Sequence, residues 1–207
     1  MNQTTKLLMI SDIFVLTGFG LIQPILAIFI SDGVTGGDIF SAGMASTLFL
    51  VTKSLVQLPF SKHIDDSESK ISWLIVGTAL IAAVPIIYLF ITDIHQVYVA
   101  EILYGLGSGM AYPTWVGLWS ANLMEGRESF EWSVYSTSTG LGTAGTAAIG
   151  ATIASVAGFS ATFVLTGIMC LLGCLILFLL ERGHEREVKS KEATRTRLVL
   201  SRDLAAE

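Results

Sequence analysis

Lys53 stands in the run LFLVTKSLVQLP, residues 48–59, with no other charge beside it. A charged side chain near the middle of a lipid-spanning helix costs at least about 2.5–3.5 kcal/mol on insertion scales, and such groups usually face a partner or a watery cavity. Two carboxyls occupy similar runs: Asp12 in LLMISDIFVLTGFG and Glu101 in VYVAEILYGLG. Three chemistries are open to these groups. Lys53 can bind a polar or anionic group of a solute. Asp12 and Glu101 can take up and release a proton. Lys53 and Asp12, expected in the same half of the membrane, can also form a charge pair, and Asp12 has the further option of capping its helix at the surface.

Helical spacing extends each charge into a stripe. Asp12 aligns with Phe19 and Gln23, and Lys53 with Ser46 and Gln57. Glu101 heads the longest stripe, through Ser108, Tyr112, Trp115, Trp119 and Asn122. A fifth segment opens with Glu131, Tyr135 and Ser138 inside SVYSTSTGLGTAGT. Amides and hydroxyls offer hydrogen bonds, and Tyr112 and Trp115 offer stacking faces. That is the chemistry of binding a small polar solute, with Gln23, Ser46, Lys53, Gln57, Ser108, Tyr112 and Trp115 as its candidate contacts.

Other residues have plainer roles. Glu131 lies close to a helix start, where the dipole favours an acid. Trp73, Trp119 and Trp132 are placed for an interfacial belt. The hydroxyls of the fifth segment divide between helix packing and solute contact. No phosphate loop, nucleophile–base pair or metal cluster is visible. His63 and His95 fall in loops and His184 in the tail. Cys170 and Cys174, four apart in an apolar run, read as small packing residues. Neither enzymatic activity, nor a cofactor, nor a nucleic-acid partner is expected.

The elements that carry these groups follow from composition. Of 207 residues 52% are hydrophobic and 14% charged, against roughly a quarter charged in soluble domains. Runs of roughly 20 apolar residues predict six membrane-spanning helices, near residues 7–30, 39–60, 71–92, 96–119, 131–157 and 159–180. They are joined by SDGVTGGD, SKHIDDSESK, TDIH, ANLMEGRES and a turn near Gly158. Backbone in lipid must satisfy its own hydrogen bonds, so helix is expected throughout. The first segment is interrupted by Asp12 and continues too far for a cleavable signal peptide. Every basic residue except Lys53 falls on one side of this topology, which predicts cytoplasmic termini in a multi-pass protein of the plasma (inner) membrane. Residues 1–182 form the transmembrane domain and 183–207 a charged cytoplasmic tail. In that tail Glu185 with Lys189, and Glu187 with Lys191, have helix-supporting spacing.

The chain repeats itself. DIFVLTGFGLIQP aligns with EILYGLGSGMAYP so that Asp12, Gly18, Gly20 and Pro24 fall on Glu101, Gly107, Gly109 and Pro113 at one common offset. The same shift lays the first three spans, about 7–92, on the last three, about 96–180. Three spans per unit is odd, so the second unit enters the membrane from the other side. Inverted pairs of this kind are typical of secondary transporters. Glycine permits close helix approach and proline permits a kink. Gly18, Gly20, Pro24, Gly107, Gly109 and Pro113 are therefore candidates for conformational roles.

The 3+3 inverted repeat, the first span GFGLIQPILAIFI and the loop LPFSKHIDDSESK together resemble one half of a major facilitator superfamily transporter, over residues 7–182. Asp65 matches the aspartate of the family's loop motif and Lys70 its terminal basic position, whereas Ser61 and Asp66 replace the usual glycine and arginine. Glu101 stands where a second motif begins with arginine. The fifth span lacks the glycine–proline pair of the family's antiporters. The resemblance implies that spans one, two, four and five line a central cavity, with Asp65 in a cytoplasmic latch. It also implies a twelve-span assembly, here a parallel homodimer working by alternating access. The expected cargo is a small polar solute, with a sugar as the first candidate and a proton-coupled symporter as the cycle. The residues leave open an alternative, a non-transporting scaffold, sensor or subunit that pairs with a different half.

Overall fold

The computed structural model describes the backbone of residues 1–204 and the side chains of residues 1–183. Seven helices form within it: α1 (Gln3–Ile22), α2 (Leu26–Gly33), α3 (Ile39–Asp65), α4 (Lys70–Tyr88), α5 (Ile94–Ala121), α6 (Glu128–Ala157) and α7 (Phe159–Leu204). The only β-type pairing among the described residues is one bridge, between Thr35 and Asp93. Among the described residues five helices are long and apolar enough to cross a membrane: α1, α3, α4, α6 and the Phe159–Gly183 part of α7. The segment expected as the fourth span is α5, with 28 residues. It is not among the five, because His95, Gln96, Glu101 and its glycines dilute its apolar content. The expected Glu185–Lys189 and Glu187–Lys191 pairs lie outside the described side chains.

Helix starts follow from capping chemistry. The Asn2 side chain accepts a hydrogen bond from the Thr5 amide at 2.7 Å. Asp38 accepts from both the amide and the hydroxyl of Ser41, each at 2.6 Å, and these bonds hold its carboxyl below the usual range. Asp93 opens α5 with a capping box, in which Gln96 reaches back to the backbone. Each such cap is worth about 1 kcal/mol.

The first expected span is two helices. Pro24 has no N–H to continue α1, and the chain turns through Gln23–Pro24–Ile25 before α2 resumes. The Ile25 amide bonds the Ile22 carbonyl at 3.0 Å, tightening that turn. Pro113, at the equivalent place in the second unit, lies inside an uninterrupted α5. Gly158, with φ of 83°, makes the sharp link from α6 to α7; a side chain there would be strained.

Packing obeys a simple scheme. Helix α1 packs on α6 and α7, α5 packs on α3 and α4, and α4 meets α7. The repeat offset exchanges the α1–α6 pairing with α5–α3 and the α1–α7 pairing with α5–α4, and it turns α4–α7 into itself. The glycines follow suit. A Cβ on Gly18 would meet Met169 of α7 at 3.1 Å, and one on Gly107 would meet the Gly77 carbonyl of α4 at 2.9 Å. A Cβ on Gly20 would collide with Thr146 of α6, and one on Gly109 would meet Val56 and the Lys53 carbonyl of α3 at 2.8 and 2.9 Å. Each pair of glycines thus seats its helix against equivalent neighbours. Two apolar clusters close opposite ends of the bundle. One includes Leu21, Phe29, Tyr88, Val97 and Phe163. The other includes Leu8, Trp115, Trp119, Cys170 and Leu177.

Gly109→Ala should therefore lower stability by about 1–3 kcal/mol, the usual cost of overpacking. Gly117, which has nothing within 4 Å, is the control. Thermal unfolding in detergent micelles checks this: Gly109→Ala should melt lower than wild type, and Gly117→Ala should not.

Candidate functional site

A cavity of about 240 Å³ lies between α1, α3, α4, α5, α6 and α7. Helix α5 provides its floor through Tyr104, Ser108, Ala111, Tyr112 and Trp115, a stripe at helical spacing. Asp12, Ser11, Leu16 and Phe19 of α1 form one wall, Phe49 and Lys53 of α3 another, and Tyr135 of α6 closes the side next to Asp12. Thr78 and Ile81 of α4 and Leu177 of α7 complete the lining.

Lys53 lies roughly 20 Å from either end of α3, at about 1.5 Å per residue. It is half-buried, and its ammonium sits 4.8 Å from the centre of the Tyr112 ring. A cation at that distance is attracted by the negative ring face. Asp12, also half-buried, accepts a hydrogen bond from the Tyr135 hydroxyl on Oδ2 at 2.5 Å. Among the described residues no ion pair joins Lys53 to Asp12. The two charges face one cavity without neutralising each other.

Aromatic rings organise both sides of the cavity. Tyr104 is stacked between Phe19, at 4.4 Å, and Phe49, at 4.3 Å, so one phenol ring from α5 bridges α1 and α3. Near Asp12, Trp115 packs on Tyr135 at 4.6 Å and stacks on Trp119 at 5.1 Å. The Trp115 indole N–H donates to the Leu8 carbonyl at 3.3 Å, which fixes its ring against α1. Trp119 is fully buried, so the interfacial role expected for it gives way to a core one. Trp73 packs on Phe60 and His63, each at 5.5 Å, and Trp132 is 36% exposed.

The other expected site residues lie elsewhere. Gln23 is exposed at the break between α1 and α2, and Gln57 is half-buried one turn beyond Lys53. Ser46 is exposed and donates to the Ala42 carbonyl of its own helix at 3.3 Å. None of the three lines the cavity. Glu101 is 3% exposed, turned away from the cavity, and accepts a hydrogen bond from the Tyr88 hydroxyl of α4. Glu131 is enclosed too, 2.7 Å from the amino group of Met1. Asp65 is exposed at the end of α3. Cys170 and Cys174 are buried free thiols, and Cys170 lies against Gly18.

Tyr104, Phe49, Ser11 and Thr78 were not singled out by sequence. Two of them were within reach of the reasoning: Phe49 is one turn before Lys53, and Tyr104 one turn before Ser108. Ser11 and Thr78 gave no signal, because their place depends on which helices become neighbours.

The Major Facilitator Superfamily model matches residues 8–205. A comparison with curated proteins finds no match. Among solved structures, the chain is similar to the in meso crystal structure of the POT family transporter PepTSo, with a TM-score of 0.76 and 12% sequence identity. That similarity covers 88% of this chain and 38% of the other, so the chain spans less than half of that transporter's length. At this identity the likeness is one of fold. An all-helical bundle with this architecture, matched by the family model over nearly its whole length, belongs to the major facilitator superfamily.

Proposed function

We propose that the chain is one half of a secondary transporter, with two copies side by side and parallel, and a polar solute carried between them by alternating access. The observation that carries this reading is the cavity itself. Lys53 and Asp12 both border it, held by aromatic rings but not by each other. Charges in a membrane interior otherwise pair or turn to water.

In this reading α5 crosses the membrane as the fourth of six spans, its 28 residues reaching about 42 Å at about 1.5 Å per residue. Both termini are cytoplasmic, because Lys6, Lys62, Lys70 and Arg127 then lie on one side. The first three spans and the last three are inverted repeats, as the exchangeable packing scheme supports. The membrane is the plasma membrane.

A second copy has a surface to meet. Helix α6 is the least buried of the five apolar helices, and α3 follows it. Gly140, Ala144 and Ala148 are exposed along one side of α6, and Gly140 and Gly145 have nothing within 4 Å. Small residues at this spacing let membrane helices pack backbone to backbone. Such a contact beside Tyr135 would roof the cavity with the same elements of the second copy.

Glu101 takes the proton in this scheme. It is enclosed with a single hydroxyl donor, and Tyr104, three residues further along α5, lines the cavity. Gly18, Gly20, Gly107 and Gly109 are the sliding contacts of the rocking helices, and Pro24 their hinge. Asp65 retains the latch role that the family resemblance implies.

Three measurements test these parts. Single cysteines along α6, with Cys170 and Cys174 replaced by serine, should crosslink between copies in a bilayer at Gly140→Cys, Ala144→Cys and Ala148→Cys but not at positions between them. Strictly monomeric protein would refute the dimer and favour pairing with a different half. In proteoliposomes screened with sugars, amino acids and carboxylates, a solute that enters through wild-type protein should enter at least about tenfold more slowly with Lys53→Ala. Glu101→Gln should flatten the pH dependence of that uptake while leaving solute exchange in place; an unchanged pH profile would remove Glu101 from the cycle.

A further inference from the structure

The charges of the cavity define the kind of solute more closely than polarity alone. Lys53 and Asp12 belong to different helices, line the same 240 Å³ space, and each retains unused binding capacity. The Lys53 ammonium has three N–H donors, and among the described residues it meets only the face of Tyr112. Asp12 accepts from Tyr135 on Oδ2, and its Oδ1 has no partner among the described residues. Trp115 and Tyr135 pack on each other at 4.6 Å and both line the same volume.

A neutral solute such as a sugar would leave both charges facing a low-dielectric space without counter-ions. A simple anion would satisfy Lys53 but bring a like charge towards Asp12, and a simple cation would do the reverse. One class of ligand answers both walls: a small molecule with a carboxylate at one end and an ammonium at the other.

Resting on the reading of the cavity as the solute site, we propose that the solute is an amino-carboxylate zwitterion. Its carboxylate accepts hydrogen bonds from the Lys53 ammonium, and its ammonium donates to Asp12 Oδ1. The Trp115 and Tyr135 rings add aromatic contact to the body of the solute, and the Ser108 hydroxyl, also part of the lining, offers it a further hydrogen bond. Binding then brings each charge a close opposite partner at no change in the net charge of the cavity, so the loaded site suits a buried state better than the empty one.

The test uses matched series of free amino acids of the α, β and γ types, from glycine to phenylalanine. Each is compared with its N-acetyl form, which loses the ammonium, and its primary amide, which loses the carboxylate. Binding to the full-length protein in detergent is read by tryptophan fluorescence, since Trp115 lines the site. At least one free amino acid should bind about tenfold or more tightly than both of its derivatives. Lys53→Gln should erase the preference over the amide, Lys53→Arg should keep it, and Asp12→Asn should erase the preference over the N-acetyl form. Each variant is first checked for a wild-type elution profile and melting temperature. The wild-type series decides the matter should a variant fail to fold. Failure of every free amino acid to bind, or equal binding of derivatives, overturns the proposal. Zwitterion binding without any exchange in proteoliposomes would uphold the solute class and sink transport. Uptake confined to neutral or singly charged solutes would uphold transport and sink the zwitterion.

Discussion

Everything in this bundle answers to the cost of holding charge where water is scarce. Lys53 is the sharpest case, because no reach along α3 takes its ammonium readily to the surface. The chain meets that cost with geometry: a cavity at the depth of the charge, a tyrosine face beneath the ammonium, and a carboxyl on the opposite wall. Asp12 and Glu101 show two other solutions. Each carboxyl takes a tyrosine hydroxyl, but one opens to the cavity and the other is enclosed between α4 and α5. The same residue class thus acquires different exposure according to which neighbour it meets.

The cavity exists only because helices approach closely elsewhere. Gly18 and Gly20 seat α1 against α7 and α6, while Gly107 and Gly109 seat α5 against α4 and α3. Without side chains at those points, the backbones come near enough for Tyr104 to stack between Phe19 and Phe49. Dispersion in such contacts falls steeply with separation, so a small displacement of α1 or α5 would loosen the ring stack and the cavity wall together. Helix packing and site geometry are therefore coupled, which is a property any conformational cycle in this bundle would use.

Much of this was legible in the sequence for physical reasons. Lipid permits few backbone solutions, so the hydropathy pattern reveals helices and their approximate ends. Charge in such a pattern is costly and rare, which singled out Lys53, Asp12 and Glu101. Helical periodicity then located Ser108, Tyr112 and Trp115 on one stripe, and all three line the cavity. The repeat pointed to the glycines, whose neighbours in the fold are exchanged by the same shift. Periodicity has a limit, however. It ranks residues around one helix but does not say which of two adjacent faces meets a neighbour.

That limit explains what the sequence left undecided. Glu101 shares its stripe with Ser108, only about 20° away around the helix, but it lies about 10 Å along the axis at about 1.5 Å per residue, where Tyr88 of α4 takes the acid while the cavity takes the serine. Trp119, placed by its position near a membrane edge, became fully buried because Trp115, Trp132 and Tyr135 gather round it from two helices. Gln23 fell outside the cavity where α1 broke at Pro24, and Ser46 and Gln57 lie along α3 on either side of the Phe49–Lys53 stretch that lines it. Composition and periodicity thus determined that the chain is a helical membrane bundle and which residues are too costly to be idle. Only the tertiary structure decided which of those residues face one another, because helix rotation is set by side chains interlocking between segments far apart in the chain.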